Sequence, residues 1–495
     1  SKNEPVTIKI GLTEQQVAQF SERKPFFKGV TIQSKLTRTY PYSDLFAHVI
    51  GYVGRISDND SKKLDKKLYA GTDLIGKTGI EKYYESLLLG KPGYQSIETN
   101  AYGDIIKKLD TKPPIPGNDI YLSLDYGLQK LTSDLLNGKR GAAVAIDPNT
   151  GEILAFVSNP SFDPNPFITG ISSREYKALQ QDPDMPLYNR ALQGQYPPGS
   201  SIKPIEGLAG IHYGMMGWDS SIYDPGYFSL PGDSHKFRDW KKSGHGNVNL
   251  HKSVVESVDT YYYKLSYQLG IDRLHDWMTR FNFGSKTGID LPGEKTGVYP
   301  STEWKMKTYK KAWLPGETIS VSIGQGYFLA TPLQIANGIA MLAGDGQHLT
   351  PHLLKKSTGA EHVTPIEKPD GKIQYNGNPN DWQRMHLAME DVVKKGTAHN
   401  IYTPTYRIAG KTGTAQVKSI AQGKRYNEAA LDSRHWDHGW FVGFAPVENP
   451  QIAIAVIVEN GRHGGWVAPI VRKMMDYWLI DKIKKPIVPP SPEEL

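Results

Sequence analysis

The chain has no cysteine among its 495 residues, which excludes disulfides and thiolate chemistry. A long apolar run is also missing. The longest near the C-terminus, Ile452-Ala453-Ile454-Ala455-Val456-Ile457-Val458, is strand-sized, far below the roughly 20 residues that span a bilayer. Charge of one sign is not concentrated either. Lys+Arg number 58 and Asp+Glu 51, a net charge of +7, and no block of basic residues stands out. That balance suits an anionic surface or substrate and does not indicate nucleic acid. There is no solenoid-length repeat and no recognisable signal peptide. The chain opens abruptly at Ser1-Lys2-Asn3, and a segment is expected to precede it.

A length of 495 residues fits two or three domains. The clearest linker is Lys112-Pro113-Pro114-Ile115-Pro116-Gly117-Asn118, whose prolines continue neither helix nor sheet. Before it the composition is polar and mixed, with a helix-like run from Gly79-Ile80-Glu81 to Leu87-Leu88-Leu89 and no pairing of nucleophile and base. We read residues 1–118 as a structural module. Beyond the linker, Asp125 is placed to cap a helix carrying Leu128, Leu131 and Leu135. Ala142–Ile146 and Ile153–Val157 flank Asp147-Pro148-Asn149-Thr150-Gly151 as a hairpin. Trp440–Ala445 and Ile452–Val458 read as two more strands, and a last helix is expected from near Pro469. From Pro486 the tail, residues 486–495, is proline-rich and expected to be disordered.

The chemistry centres on Tyr196-Pro197-Pro198-Gly199-Ser200-Ser201-Ile202-Lys203-Pro204. On a helix, Ser200 and Lys203 share a face. A serine hydroxyl needs a base to take its proton, and a lysine held away from water can be neutral enough to do so. Pro204 costs little in a first turn, whose N–H groups have no helical partner. Ser-x-x-Lys alone is a weak signal, and Ser21 and Lys24 share it. No Gly-x-Ser-x-Gly elbow surrounds Ser200, which argues against a Ser-His-Asp hydrolase.

Two motifs downstream strengthen it: Ser257-Val258-Asp259 and Lys411-Thr412-Gly413-Thr414. Lys-Thr-Gly occurs four times, at Lys77, Lys286, Lys295 and Lys411. Only the fourth lies in a strand-like setting. There the lysine can attract a carboxylate, the hydroxyl can hydrogen-bond it, and the glycine lets a substrate approach the backbone.

The ordered set Ser-x-x-Lys, Ser-x-Asn/Asp, Lys-Thr-Gly resembles the penicillin-binding proteins and class A β-lactamases. Further stretches resemble class B penicillin-binding proteins, specifically those of cell elongation in Gram-negative bacteria. They include Asn159–Asn165, Ile323-Gly324-Gln325-Gly326, Thr331-Pro332-Leu333-Gln334, Gly439–Pro446, Arg38, and Arg238–Lys242 with Gly244-His245-Gly246. The resemblance implies an α+β fold, with an antiparallel sheet between helical layers over 119–485 and a smaller elongated pedestal before it. It implies a peptidoglycan D,D-transpeptidase, acylated by β-lactams, that cross-links D-Ala-D-Ala stem peptides. Ser200 would be the nucleophile and Lys203 its base. Ser257 and Lys411 would pass a proton to the leaving D-alanine. Asp259, Thr412, Gly413 and Thr414 would hold substrate. It also implies a location on the periplasmic face of the inner membrane, an N-terminal anchor, and a membrane glycosyltransferase partner. Most relatives carry asparagine where Asp259 stands, and an ionised aspartate accepts hydrogen bonds without donating them.

No cofactor is required. Asp224, Asp239 and His245 are a candidate structural zinc set. Some near relatives supply a cysteine at the middle of the Ser-x-Asp motif, where this chain has Val258. The alternatives are a D,D-carboxypeptidase or β-lactamase-type hydrolase, and a non-catalytic β-lactam sensor or scaffold. No deacylating glutamate is assignable from the sequence.

Overall fold

The computed structural model describes residues 6, 8–34, 37–100, 105–359, 371–417 and 432–491. Its core is an antiparallel sheet of β1 (Gly141–Ile146), β2 (Ile153–Asn159), β3 (Ala409–Ala415), β4 (His438–Ala445) and β5 (Ile452–Val458). The spatial order is β3-β4-β5-β1-β2, which leaves β3 on one edge. The β1–β2 turn forms where Asp147 and Gly151 place it, with the Gly151 N–H donating to Asp147 O at 2.9 Å. Every residue of β5 is buried. Side chains alternate between faces, so a strand buried throughout is covered on both sides.

The covers are helices. On one face α6 (Pro332–Ala343) lies over β5 and β1, and α7 (Asn380–Lys394) over β3. His386 Nε2 of α7 meets Leu342 O of α6 at 2.8 Å. All of α6 is buried, as expected of a helix apolar around its circumference. On the other face α1 (Tyr126–Leu136) packs on β2, and α8 (Gly464–Asp476) on β4 and β5. Asp125 caps α1 as its sequence suggests, accepting from the Leu128 N–H at 2.8 Å. The last helix departs from expectation. It starts at Gly464 behind the cap residue His463, and Pro469 lies inside it. Pro469 is the sixth residue, so its missing N–H forfeits one intrahelical bond, while Val467, Ala468, Ile470 and Val471 are buried around it. Apolar burial outweighs the local break.

The first module is welded to this body. Val49, Ile80, Tyr84 and Leu87 belong to the same buried cluster as the sheet. Tyr84 OH donates to Asp290 Oδ2 at 2.7 Å, and the Asp290 carboxylate also accepts the N–H groups of Leu353 (2.7 Å) and Leu354 (2.8 Å). The proline-rich connection is pinned rather than loose: Lys91 and Ile115 exchange backbone hydrogen bonds of 2.8 and 2.9 Å. Asp119–Leu122 then pairs with Leu354–Thr358. Residues 486–491 form neither helix nor strand; the end of the expected disordered tail, 492–495, lies outside the described residues.

Candidate active site

Ser200 sits in a 3-10 turn, Gly199–Ile202, that runs directly into α2 (Lys203–His212). Lys203 is the first residue of α2 and Pro204 the second, where proline is tolerated. The turn is held from two sides: Ser201 Oγ donates to Pro198 O at 2.8 Å, and Trp440 Nε1 donates to Pro197 O at 3.0 Å. Strand β3 lies hard against it. Gly199 has φ 56°, and a Cβ there would fall 2.3 Å from Thr414 O. A Cβ on Gly413 would stand 2.9 Å from Pro198 O. Glycine at both positions is what lets the Ser200 turn and the Lys411 strand touch.

Ser257 joins the other two motifs. Its backbone is left-handed at φ 57°, a conformation that costs a non-glycine residue of order 1–3 kcal/mol. In that pose its carbonyl accepts from Lys203 Nζ at 2.9 Å and its hydroxyl from Lys411 Nζ at 2.8 Å. Lys203 Nζ also lies 2.5 Å from Asp259 Oδ1. Asp259 begins α3 (Asp259–Leu269). The structure thus brings Lys203, Ser257, Asp259 and Lys411 into one hydrogen-bonded chain beside Ser200. Among the described residues no hydrogen bond engages the Ser200 hydroxyl, which stays partly exposed.

Lys203 and Lys411 are fully buried. Burial pushes the Lys411 amine well below its usual range and the Lys203 charge adds to this, while Asp259 opposes it. One turn beyond Lys203, Glu206 is buried with both carboxylate oxygens unpartnered. Burial drives its carboxyl well above the ordinary range, against the pull of Lys203.

Thr412 and Thr414 are the partly exposed members of β3. Thr412 Oγ1 bonds Thr397 Oγ1 at 2.8 Å, and Thr414 O accepts from Gln325 Nε2 at 3.1 Å. β3 is the edge strand of the sheet. The other three Lys-Thr-Gly copies lie elsewhere. Lys77 pairs with Asp60 at 2.5 Å. Thr287 is held by Glu294 at 2.7 Å. Thr296 gives its carbonyl to Gln334 Nε2 at 2.7 Å.

Asp224, Asp239 and His245 also converge, all buried, with ligand atoms within 4.8 Å of one another. Their carboxylates already accept protein hydrogen bonds. Asp224 takes the Gly226 N–H (2.7 Å) and both the His245 N–H (2.9 Å) and Nδ1 (2.8 Å). Asp239 takes the N–H groups of Lys241, Asp259 and Thr260 at 3.1, 2.7 and 3.1 Å. Burial and the Asp259 charge raise the Asp239 carboxyl above its usual range. Val258, fully buried in the Ser-x-Asp motif, offers no donor atom. Val258 thus supplies no fourth protein ligand, and the buried His245 Nε2 has no hydrogen-bond partner. Asp239 also orders the start of α3 through the Asp259 and Thr260 N–H groups.

Thr397 and Glu206 escape sequence reasoning about the site. Gln325 and Trp440 fall in stretches that carry the family resemblance, without a site role attached; in the structure Trp440 stands opposite Gly413 in the β3–β4 ladder.

Comparison with known proteins agrees with this geometry. Residues 141–476 match the family described as "Penicillin binding protein transpeptidase domain", and residues 1–122 match "Penicillin-binding Protein dimerisation domain". The chain is 60% identical over 488 residues to the peptidoglycan D,D-transpeptidase MrdA of Acinetobacter baumannii, covering 99% of this chain and 73% of that protein. Penicillin-binding protein 2 of Pseudomonas aeruginosa, solved with WCK 5153, superposes with TM-score 0.80 at 45% identity, over 94% of this chain and 95% of the other. The Helicobacter pylori protein, solved with MreC, gives TM-score 0.82 at 34% identity, over 94% and 84%. Sharing both modules and nearly its whole length with these proteins, the chain belongs to the penicillin-binding protein 2 branch of the class B penicillin-binding proteins.

Proposed function

We infer that the protein is a peptidoglycan D,D-transpeptidase of cell-wall elongation, working through an acyl-enzyme on Ser200 and open to acylation by β-lactams. The observation that carries the residue roles is the chain Lys203–Ser257–Lys411. Its members are far apart in sequence, yet their bonds are 2.9 and 2.8 Å. Ser200 Oγ attacks the penultimate D-alanine carbonyl, and its proton passes to Lys203. Asp259 Oδ1, 2.5 Å from Lys203 Nζ, holds that amine in place. The developing oxyanion sits at the N–H groups of Ser200 and Thr414, where one lost donor costs about 3 kcal/mol. Ser257, donated to by Lys411, passes a proton to the departing D-alanine amine. Thr412, Gly413 and Thr414 hold the substrate carboxylate and peptide edge. A second stem-peptide amine then takes the acyl group from Ser200. These steps need no cofactor.

Because its substrate lies outside the inner membrane, the protein acts at the periplasmic face, beside a membrane glycosyltransferase that supplies fresh strands. No helix among the described residues is long and apolar enough to cross a membrane. The test is intact mass after incubation with a β-lactam, followed by peptide mapping. One adduct per chain on Ser200, abolished in Ser200→Ala, is expected. An adduct on Ser21, or undiminished labelling of Ser200→Ala, overturns the assignment.

A further inference from the structure

A second surface adjoins the cleft. Helix α4 (Thr302–Tyr309) is closed by Lys310 in the left-handed region at φ 56°, and the chain turns back to α5 (Pro315–Val321). Three rings gather there. Trp304 lies 5.6 Å from Tyr309 and 5.3 Å from Tyr327, and Tyr309 lies 5.5 Å from Tyr327. Tyr309 is 49% exposed. Beneath them Lys305 is buried, paired with Glu317 and stacked on Tyr327 at 5.7 Å, which locks the rings in place. Around them Lys307, Lys310 and Lys311 are exposed, and among the described residues no carboxylate pairs with any of them. Read for charge runs, the sequence hides this cluster because Met306, Thr308 and Tyr309 interrupt it.

The surface is continuous with the cleft wall. Two residues before Tyr327, Gln325 binds Thr414 O, and Gly324 is so close to the nucleophile turn that a Cβ there would fall 2.3 Å from Gly199 O. Helix α5 packs on α3, which begins with Asp259.

We propose that this ring cluster and its three free lysines bind the glycan strand that carries the stem peptides, holding the polymer beside the cleft; this rests on the transpeptidase reading. Flat, partly exposed aromatic rings suit the C–H faces of amino sugars, being apolar in body and polar at the tip. Unpaired ammonium groups suit the carboxylates of neighbouring stem peptides along the strand, those not seated in the cleft. An anionic lipid surface would also attract lysines. The rings, however, are packed on one another as a platform rather than standing singly as insertable wedges, and they lie at the cleft.

The test uses the full chain with two variants, Tyr309→Ala and the triple Lys307→Ser, Lys310→Asn, Lys311→Ser. Asparagine is chosen at 310 because it tolerates the left-handed backbone. Affinity for soluble glycan strands bearing uncross-linked stem peptides is measured in a Ser200→Ala background. Each variant is expected to weaken strand binding about tenfold. Binding of the free stem peptide, and β-lactam acylation in the Ser200 background, should be unchanged. Unaltered strand affinity in both variants overturns the proposal, as does an equal loss of free-peptide binding or acylation. Loss of binding to phosphatidylglycerol vesicles with strand binding intact also overturns it, in favour of a lipid surface. Absence of acylation in the unaltered chain would instead overturn the transpeptidase reading itself.

Discussion

Replacing Lys411 by alanine separates the fourth Lys-Thr-Gly copy from its three counterparts. Lys411 Nζ donates to Ser257 Oγ at 2.8 Å and to Thr412 O at 3.1 Å, and the lysine itself is fully buried. Alanine removes the donor to Ser257 Oγ and, in the proposed mechanism, the group that draws in the substrate carboxylate. One charge-assisted hydrogen bond contributes about 1.5–3 kcal/mol, and if it is made in the transition state the loss slows acylation roughly 10- to 150-fold. The other lysines have no such connection. Lys77 pairs with Asp60, and Lys286 and Lys295 are exposed in a loop. Lys77→Ala, Lys286→Ala and Lys295→Ala are therefore expected to acylate within about twofold of the parent, as surface substitutions usually do. The assay is the second-order rate of acylation by a fluorescent β-lactam, with folding checked by circular dichroism. Equal losses across all four variants, or a normal rate in a folded Lys411→Ala protein, would refute the argument.

The same lysine carries a stability signature. Burial holds its amine well below its usual range, so the unfolded chain binds the proton more readily, and this penalty fades as pH rises towards the unfolded value near 10.4. Lys411→Met should melt higher than the parent at pH 7, with the gap narrowing by pH 10; a gap independent of pH would contradict the depressed amine. Tyr84→Phe removes the hydroxyl that donates to buried Asp290 and should lower stability by about 1–2 kcal/mol in chemical denaturation, with acylation unchanged. Residues 119–495 alone would lose Tyr84, Leu87 and the rest of that shared core, so the truncation should melt well below the full chain yet still acylate while folded. A folded truncation that cannot be acylated would show that the first module helps build the site. Chelator treatment should leave the melting temperature unchanged, because Asp224 and Asp239 are already hydrogen-bonded and Val258 is no ligand. A marked drop that added zinc restores would show a metal at that cluster.

The sequence by itself determined the elements whose causes are local. Asp125 caps α1 through a neighbour three residues on; Asp147 and Gly151 make the β1–β2 turn; Ser200 and Lys203 share a face because they are three residues apart. Helix α8 shows where local reasoning fails, since proline in mid-helix is tolerated when the residues around it are buried. The strand-like setting of Lys411 singled out the fourth Lys-Thr-Gly copy, but only the tertiary structure brings it against the Ser200 turn, because the contact depends on how β3 docks against residues more than 200 positions earlier. It also decided the left-handed backbone of Ser257, the burial that depresses Lys411, and the pairing of Lys203 with Asp259. Those properties are set by what surrounds a side chain in three dimensions, and periodicity along a chain carries no record of its distant neighbours.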